Sequence, residues 1–305
     1  MSLIQTYAPR FTIFIPLLAV IIWSFNVVLN RYSIDYISPL SISFYRWLIP
    51  LLILTPWMLK PILQHQQKIK VHLPQIAVLS ALGMFICQGL GYIASHHTTA
   101  INMGMINAFV PFITLILAYY ILKENLNVMT ILGGCISIFG LLLIISKGHI
   151  TSIINLNISA YGDGLMLTAV VSYSFYCILL KKWNLELNLL LILYLQILFA
   201  VLYHVPLIPI YGLDLINADN ILIVLYAGVC TSLISSLLWM ISVTQLGAHQ
   251  TSIFMNLMPI FTACIATLWL NEQWSNYHSI GALMIFSGLY IGRQIKNNNH
   301  RLEPK

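Results

Sequence analysis

Charged side chains are scarce in this 305-residue chain. Asp, Glu, Lys and Arg together make up 7% of the residues, whereas 59% are hydrophobic. A soluble globular domain carries about 25% charged residues. The composition therefore excludes a chain that presents most of its surface to water, and it indicates a membrane protein.

Motifs of catalytic and metal chemistry are also missing from the sequence. No phosphate loop, nucleophile elbow or zinc motif occurs, and the adjacent His96 and His97 have no carboxylate in register. The five cysteines all fall within apolar stretches without paired or metal-like spacing, which predicts small packing residues. We therefore expect no enzyme activity, no metal site and no cofactor.

What the chain does contain is long apolar sequence. Ten apolar stretches of roughly 18 to 23 residues each match the length of a helix that crosses about 30 Å of hydrocarbon. They lie near 12–31, 39–59, 74–95, 98–121, 127–146, 160–181, 188–209, 219–243, 248–270 and 276–294. The longest connection, 60–72, is too short to fold alone. The sequence predicts an all-α polytopic membrane protein with ten transmembrane helices.

Lysine and arginine are distributed unevenly between the two ends of these spans. With the N-terminus inside, eleven basic residues fall on the cytoplasmic side and two, Arg31 and Lys147, on the outer side. Short cytoplasmic loops retain positive charge, so both termini are predicted to be cytoplasmic. The same bias explains the net charge of +6 without nucleic-acid binding. The first span lacks a cleavage site and is expected to stay as an anchor.

A repeat runs through the apolar sequence at a constant shift of 148 positions. Pro111 is followed thirteen residues later by Glu124, and Pro259 is followed thirteen residues later by Glu272. The same shift matches further pairs: Ala100 with Ala248, Thr114 with Thr262, Gly133 with Gly281, and Gly140 with Gly288. At a shift near 150 the match is weaker, pairing Ser24 with Ser174 and Phe44 with Tyr194.

Five helices per half is an odd number, so the second half must enter the membrane from the opposite side. The predicted organisation is a first repeat at 1–147, an inverted second repeat at 148–296 and a cytoplasmic tail at 297–305. Inverted repeats provide alternating access, because exchanging the conformations of the halves turns an outward-open cavity into an inward-open one.

The duplicated pattern resembles a known family. A small residue, a mid-helix proline, a Glu thirteen residues later and glycines in the next helix resemble the EamA-type branch of the drug/metabolite transporter superfamily. The second copy, from Leu246 through Pro259 and Glu272 to Gly288, is the closer match. The resemblance implies a bacterial inner-membrane permease, commonly an exporter of amino acids, related metabolites or drug-like compounds. It does not name the substrate.

Polar and aromatic side chains deep within the spans are the candidates for substrate contacts. An amide that faced lipid would lack hydrogen-bond partners, so Asn and Gln inside a span should face the protein interior. The predicted substrate-binding set is Trp23, Asn26, Gln88, Tyr92, Asn107, Tyr173, Tyr176, Ser235, Trp239 and Asn256.

Five further residues carry structural or coupling hypotheses. Pro111 and Pro259 are predicted to bend their helices, because proline removes a backbone donor. Glu124 and Glu272 lie at helix ends, where fixing a loop is favoured over carrying protons. Arg46 lies well inside a span, and no acidic residue is identified at comparable depth. Its expected partners are therefore helix carbonyls, a substrate carboxylate or the outer surface.

The first span carries Trp23 and Asn26 where small multidrug pumps of the superfamily carry an acid, which disfavours exchange of lipophilic cations. We hypothesise an alternating-access exporter of small neutral, zwitterionic or amphipathic metabolites such as amino acids. A multidrug efflux carrier and a non-transport sensor or structural subunit are the alternatives. The expected partners are a small-molecule substrate and membrane lipids, and the chain is compatible with a monomer or a homodimer.

Overall fold

The computed structural model describes residues 14–123, 128–146, 148, 158–246 and 254–293, and in these ranges it contains helices and no strand. Glu124 and the predicted tail lie outside the described residues. The helices are α1 (Phe14–Tyr32), α2 (Pro39–Gln64), α3 (Gln66–Ser95), α4 (Ala100–Leu122), α5 (Val128–Ile145), α6 (Ile158–Trp183), α7 (Leu189–Tyr211), α8 (221–246), α9 (Met258–Trp269) and α10 (Asn276–Arg293).

Length and hydropathy make this a multi-pass membrane protein. Within the described residues, seven helices, α1 to α4 and α6 to α8, are long and apolar enough to cross a membrane. Two shorter apolar helices lie at Ile131–Ile144 and Phe254–Trp269. Large apolar side chains such as Leu222, Leu268 and Leu283 point outward, as expected for a surface that contacts lipid rather than water.

The connection between α2 and α3 is helical, although the sequence predicted a loop over 60–72. α2 continues to Gln64, α3 begins at Gln66, and the single break falls at His65. The predicted spans ended where apolar sequence ends. Intrahelical hydrogen bonds do not need apolar side chains, so both helices extend into polar sequence.

α3 and α8 each contain a π-helical segment, at Ala81–Ile86 and Tyr226–Ile234. The sequence analysis did not anticipate either segment. Single turns of π-helix occur frequently at functional sites, because they widen a helix and leave backbone groups open to other donors. In α8, two serine hydroxyls donate to carbonyls five residues earlier, from Ser232 to Ala227 at 2.9 Å and from Ser235 to Cys230 at 3.1 Å.

The backbone of the proline-containing helices changes just ahead of each proline. α4 is interrupted after Asn107, where the N–H groups of Ala108 and Phe109 bond to carbonyls three residues earlier. The 3₁₀ turn Phe254–Leu257 precedes α9 in the same way. Pro111 and Pro259 offer no N–H for the regular helical bond, so the chain tightens at these positions.

Helices of the two predicted halves contact one another in a reciprocal pattern. α1 packs on α8 and α9, whereas α6 packs on α3 and α4. The hydroxyl of Ser24 in α1 lies 3.2 Å from the Met258 carbonyl, and the hydroxyl of Ser174 in α6 lies 3.4 Å from the Val110 carbonyl. Each of these carbonyls belongs to the residue before a proline. Each hydroxyl also lies 2.8 Å from the carbonyl four residues earlier in its own helix. The serines therefore mark where α1 adjoins α9 and where α6 adjoins α4.

α5 and α10 pack closely through their glycines. A Cβ atom built on Gly281 would lie 2.8 Å from the Gly140 carbonyl oxygen, and one built on Gly140 would lie 2.7 Å from the Gly281 carbonyl oxygen. Real Cβ atoms do not approach backbone this closely. Small residues are the usual means of bringing membrane helices together, and here they join α5 to α10.

Replacing Gly281 with alanine should destabilise the protein by about 1 to 3 kcal/mol, because the backbone of α5 would have to move away. Gly164→Ala is the matched control, since an added Cβ there meets no described atom within 4 Å. Thermal unfolding in detergent measures both. Equal midpoints for the two variants would contradict the close contact.

Candidate substrate site

Arg46 brings α2, α3 and α8 together at one point. Its Nε donates to the Ser232 hydroxyl at 2.9 Å, and Nη1 donates to Gln88 Oε1 at 2.8 Å and to the Tyr92 hydroxyl at 3.1 Å. The side chain is 3% exposed. These partners are neutral side chains. They differ from the three kinds of partner that the sequence analysis considered, which were helix carbonyls, a substrate carboxylate and the outer surface.

Aromatic rings flank the guanidinium of Arg46. Its Cζ lies 5.1 Å from the centre of the Trp47 ring and 5.8 Å from that of Tyr92. The negative face of an aromatic ring attracts a cation. Trp47 is held in turn by its indole N–H, which donates to the Met84 carbonyl at 3.1 Å. The rings and the hydrogen bonds together fix the position of the charge.

A second group joins α1 to α8. The rings of Trp23 and Trp239 are 5.2 Å apart, and the Trp23 indole N–H donates to the Thr231 carbonyl at 3.3 Å. The Thr231 hydroxyl donates to Asn26 Oδ1 at 3.2 Å. Three residues of the predicted set therefore lie together. Thr231 was not predicted, and it is the neighbour in sequence of Ser232.

A third group joins α6 to α7. The rings of Tyr173 and Tyr176 stack with centres 5.5 Å apart, and the Tyr176 hydroxyl donates to Gln196 Oε1 at 3.3 Å. The Gln196 side chain is buried, and its Nε2 has no hydrogen-bond partner in the described part of the chain. The sequence analysis missed Gln196, although the rule that drew attention to Gln88 applies equally to this amide.

Three predicted residues lie apart from these groups. Ser235 uses its hydroxyl on the Cys230 carbonyl of its own helix. Asn107 and Asn256 are half-buried at the backbone changes ahead of the prolines. Their position is governed by the local geometry of α4 and α9.

A buried acid, Asp163, was overlooked in the sequence. It lies near the start of α6, fully buried, and its carboxylate accepts hydrogen bonds from the Thr98 hydroxyl and from Asn102 Nδ2 at 3.2 and 3.3 Å. Asn102 Oδ1 in turn lies 3.1 Å from His278 Nε2. The sequence analysis did not consider Asp163, which is as fully buried within the protein as Arg46. Asp163 fastens α6 to α4 and, through Asn102, to α10.

Glu272 lies against the beginning of α4. Its two carboxylate oxygens accept the backbone N–H groups of Ala100 at 2.8 Å and Ile101 at 3.0 Å. The first N–H groups of a helix lack intrahelical acceptors and carry partial positive charge. A carboxylate there supplies the missing acceptors, and it connects the turn after α9 to α4.

The loop between α7 and α8 is fastened to the start of α2 through Asp214. Its carboxylate accepts the Ser38 backbone N–H at 2.5 Å, its own N–H donates to the Ser41 hydroxyl at 2.8 Å, and its carbonyl accepts from Tyr45 at 2.9 Å. The hydrogen bonds from Ser38 lower the pKa of Asp214 below its usual range.

Glu272→Gln should destabilise the protein by about 1 to 2 kcal/mol, because one of two charge-assisted bonds to the helix terminus is lost. Glu186→Gln is the control, since Glu186 is largely exposed and lies 3.9 Å from Lys68, where an ion pair contributes little. Thermal unfolding compares the variants. Unchanged stability together with a lost pH dependence of transport would instead assign Glu272 to proton coupling.

Comparison with known proteins places these features in a family context. A family model described as the EamA-like transporter family matches residues 10–146 and 160–292. The uncharacterized transporter YyaM of Bacillus subtilis (strain 168) is 27% identical over 273 residues, which cover 86% of this chain and 86% of YyaM. An uncharacterized transporter of Archaeoglobus fulgidus is 23% identical over 280 residues, covering 90% of this chain and 94% of its own.

A solved structure described as "Crystal structure of protein" shares the fold. The two superpose with a TM-score of 0.61 at 13% sequence identity, covering 97% of this chain and 100% of the other. This likeness concerns the fold alone.

Proposed function

We propose that this chain, which belongs to the EamA-like transporter family of the drug/metabolite transporter superfamily, exports small metabolites such as amino acids or related amphipathic compounds by alternating access. The observation that carries the proposal is the convergence of Arg46, Gln88, Tyr92 and Ser232 from three helices. Polar groups inside a membrane protein are costly and mark the path of a substrate or ion.

The architecture we propose is ten spans in two inverted repeats, 1–147 and 148–296. Separate matches of the family model to residues 10–146 and 160–292 support a duplication. The reciprocal contacts of Ser24 and Ser174 with the opposite proline helices also support it. Substrate sites of such carriers lie at the interface of the repeats, and contacts between the two proposed repeats join α1 to α8 and α3 to α6.

Movement between the two access states would use the irregular parts of these helices. The π-helical segments of α3 and α8 and the breaks ahead of Pro111 and Pro259 are positions where backbone bonding already departs from the α-helix. Such positions absorb bending at lower cost than a regular helix. All four occur in helices that carry or adjoin the candidate site.

In this proposal Asn26 and Gln88 bind polar groups of the substrate, and Trp23, Tyr92, Tyr173, Tyr176 and Trp239 pack against its apolar part. Asn107, Ser235 and Asn256 would contribute through the backbone around them. The chain would lie in the bacterial inner membrane with both termini in the cytoplasm. Glu124 would have the role at the cytoplasmic side that Glu272 has on the opposite side.

The orientation can be tested with single cysteines in a cysteine-free background. Gln66, at the turn between α2 and α3, and Asp214, in the loop between α7 and α8, are both exposed. A membrane-impermeant maleimide should label Asp214→Cys in intact cells and label Gln66→Cys only after permeabilisation. The reverse result would contradict the assignment from basic residues.

Transport can be tested by export and counterflow of radiolabelled amino acids and a drug panel in proteoliposomes. Trp239→Ala should lower transport at least tenfold, because it removes the ring that pairs with Trp23. Thermal stability should stay within about 1 kcal/mol of the wild type. Trp57→Ala is the control, since Trp57 is exposed on α2. Unchanged kinetics in Trp239→Ala would remove this pair from the site.

The same assay separates the alternatives. Movement of drug-like compounds without amino acids would favour a multidrug carrier. A folded protein that moves no compound under any imposed gradient would favour a sensor or structural subunit.

A further inference from the structure

Arg46 is a buried charge that has no counter-ion among the described residues. Its hydrogen bonds go to an amide oxygen and two hydroxyls, and within the described residues no carboxylate lies within 4 Å of it. Guanidinium stays protonated in proteins, so the charge cannot be removed by titration. A buried ion that meets only neutral partners is costly, and an opposite charge relieves that cost.

The guanidinium of Arg46 also has N–H donors that make none of these hydrogen bonds. Five N–H groups are available on an arginine, and the contacts in the described part of the chain use those of Nε and Nη1. The Nη2 edge has no acceptor there. A Cβ added to Gly89 or Gly91, which lie beside Gln88 and Tyr92 in the sequence of α3, would meet no described atom within 4 Å.

Comparison of the two copies of the repeat indicates that the packing of α2 on α7 does not require the positive charge of Arg46. At the shift of 150 that matches Phe44 with Tyr194, Arg46 matches Gln196. Gln196 lies at the corresponding place in α7, which packs on α2, and it is equally buried. A positive charge required by the architecture should recur in both halves. Its presence in one half alone points to recognition of something that is not part of the scaffold.

We propose that the transported compound carries a carboxylate and that Arg46 binds it through the Nη2 edge. This deepens the proposed function and rests on it. Charge-assisted bonds from guanidinium to carboxylate are among the strongest polar contacts in proteins. Gln88, Tyr92 and Ser232 fix the guanidinium, which for Gln88 and Tyr92 adds to the substrate contacts proposed above. The Trp23–Trp239 pair packs against the rest of the compound.

The residues around Arg46 also indicate which charged group the compound does not need. The residues of this cluster make no contact with an acidic side chain in the described ranges. An ammonium group would therefore meet amide and hydroxyl oxygens and no opposite charge. We expect the carboxylate to be required and the amino group to be dispensable.

The test uses purified full-length protein in chloride-free buffer, with tryptophan fluorescence as the binding readout and proteoliposome transport as the second readout. The probes are L-amino acids, their α-carboxamides and the corresponding deaminated acids. Wild type should bind at least one amino acid and its deaminated acid, each about tenfold or more tighter than the carboxamide. Equal affinity for acid and carboxamide would overturn the proposal, and this comparison requires no variant.

Arg46→Gln should weaken binding of the same carboxylates about 30-fold, which corresponds to the loss of one charge-assisted contact, and should leave binding of the carboxamides unchanged. Arg46→Lys should lose less, because the charge is kept. Lys68→Gln, which removes a charge from an exposed side chain, is the matched control. Wild-type carboxylate affinity in Arg46→Gln would overturn the proposal.

Failure of this inference differs from failure of the proposed function. Transport confined to uncharged or cationic compounds would overturn the role of Arg46 and leave a transporter. Absence of binding and transport for the whole panel, in protein shown to be folded by its unfolding transition, would overturn both.

Discussion

A polar group inside a bilayer must find its partner within the protein, because lipid offers none. This constraint explains most of the described architecture. Serines of α1 and α6 bond carbonyls of their own helices and lie beside carbonyls of α9 and α4, Asp163 accepts from Thr98 and Asn102, and Glu272 supplies acceptors to a helix start. Helices in lipid gain little from hydrophobic burial against one another, so these bonds and the close glycine contacts determine which helices pair.

Because of this constraint, a polar group that lacks a partner inside the protein is informative about function. The Nε2 of Gln196 is a buried donor that lacks an acceptor in the described part of the chain, and the Nη2 of Arg46 takes part in none of the hydrogen bonds that the guanidinium makes there. Both lie on the pair α2 and α7, near the π-helical segments. A scaffold optimised for stability alone would pair such groups or omit them. Their presence beside aromatic side chains is what a site for an amphipathic compound requires.

Symmetry and asymmetry have different roles in this chain. The matched features, which are the prolines, the glycines and the two serines, all hold helices together or mark where their backbone changes. An unmatched feature, Arg46 where the shift of 150 gives Gln196, belongs to the site that we propose. In the duplication that we propose, the frame is preserved because α1 packs on α9 as α6 packs on α4. The substrate site does not have to use the same residues in both halves, because a substrate does not share the symmetry of the repeat.

Composition and hydropathy were sufficient for the membrane class, because the bilayer imposes a length and an apolar character on every crossing helix. The family was predicted from the resemblance of the duplicated Pro-to-Glu pattern to the EamA-type branch, and the family model confirms it. Composition and hydropathy also selected Gln88 and Tyr92, since intramembrane polar residues must face inward. The partner of Arg46, the role of Asp163 and the involvement of Thr231 were not accessible, because each depends on which helices meet.

The π-helical segments were equally hidden from the sequence. They arise where packing favours an extra residue in a turn over regular bonding, and no residue type marks that choice. The sequence by itself determined that Arg46 would be buried and costly. Only the tertiary structure decided that its neighbours are neutral, because side chains distant in sequence become partners through the packing of α2, α3 and α8.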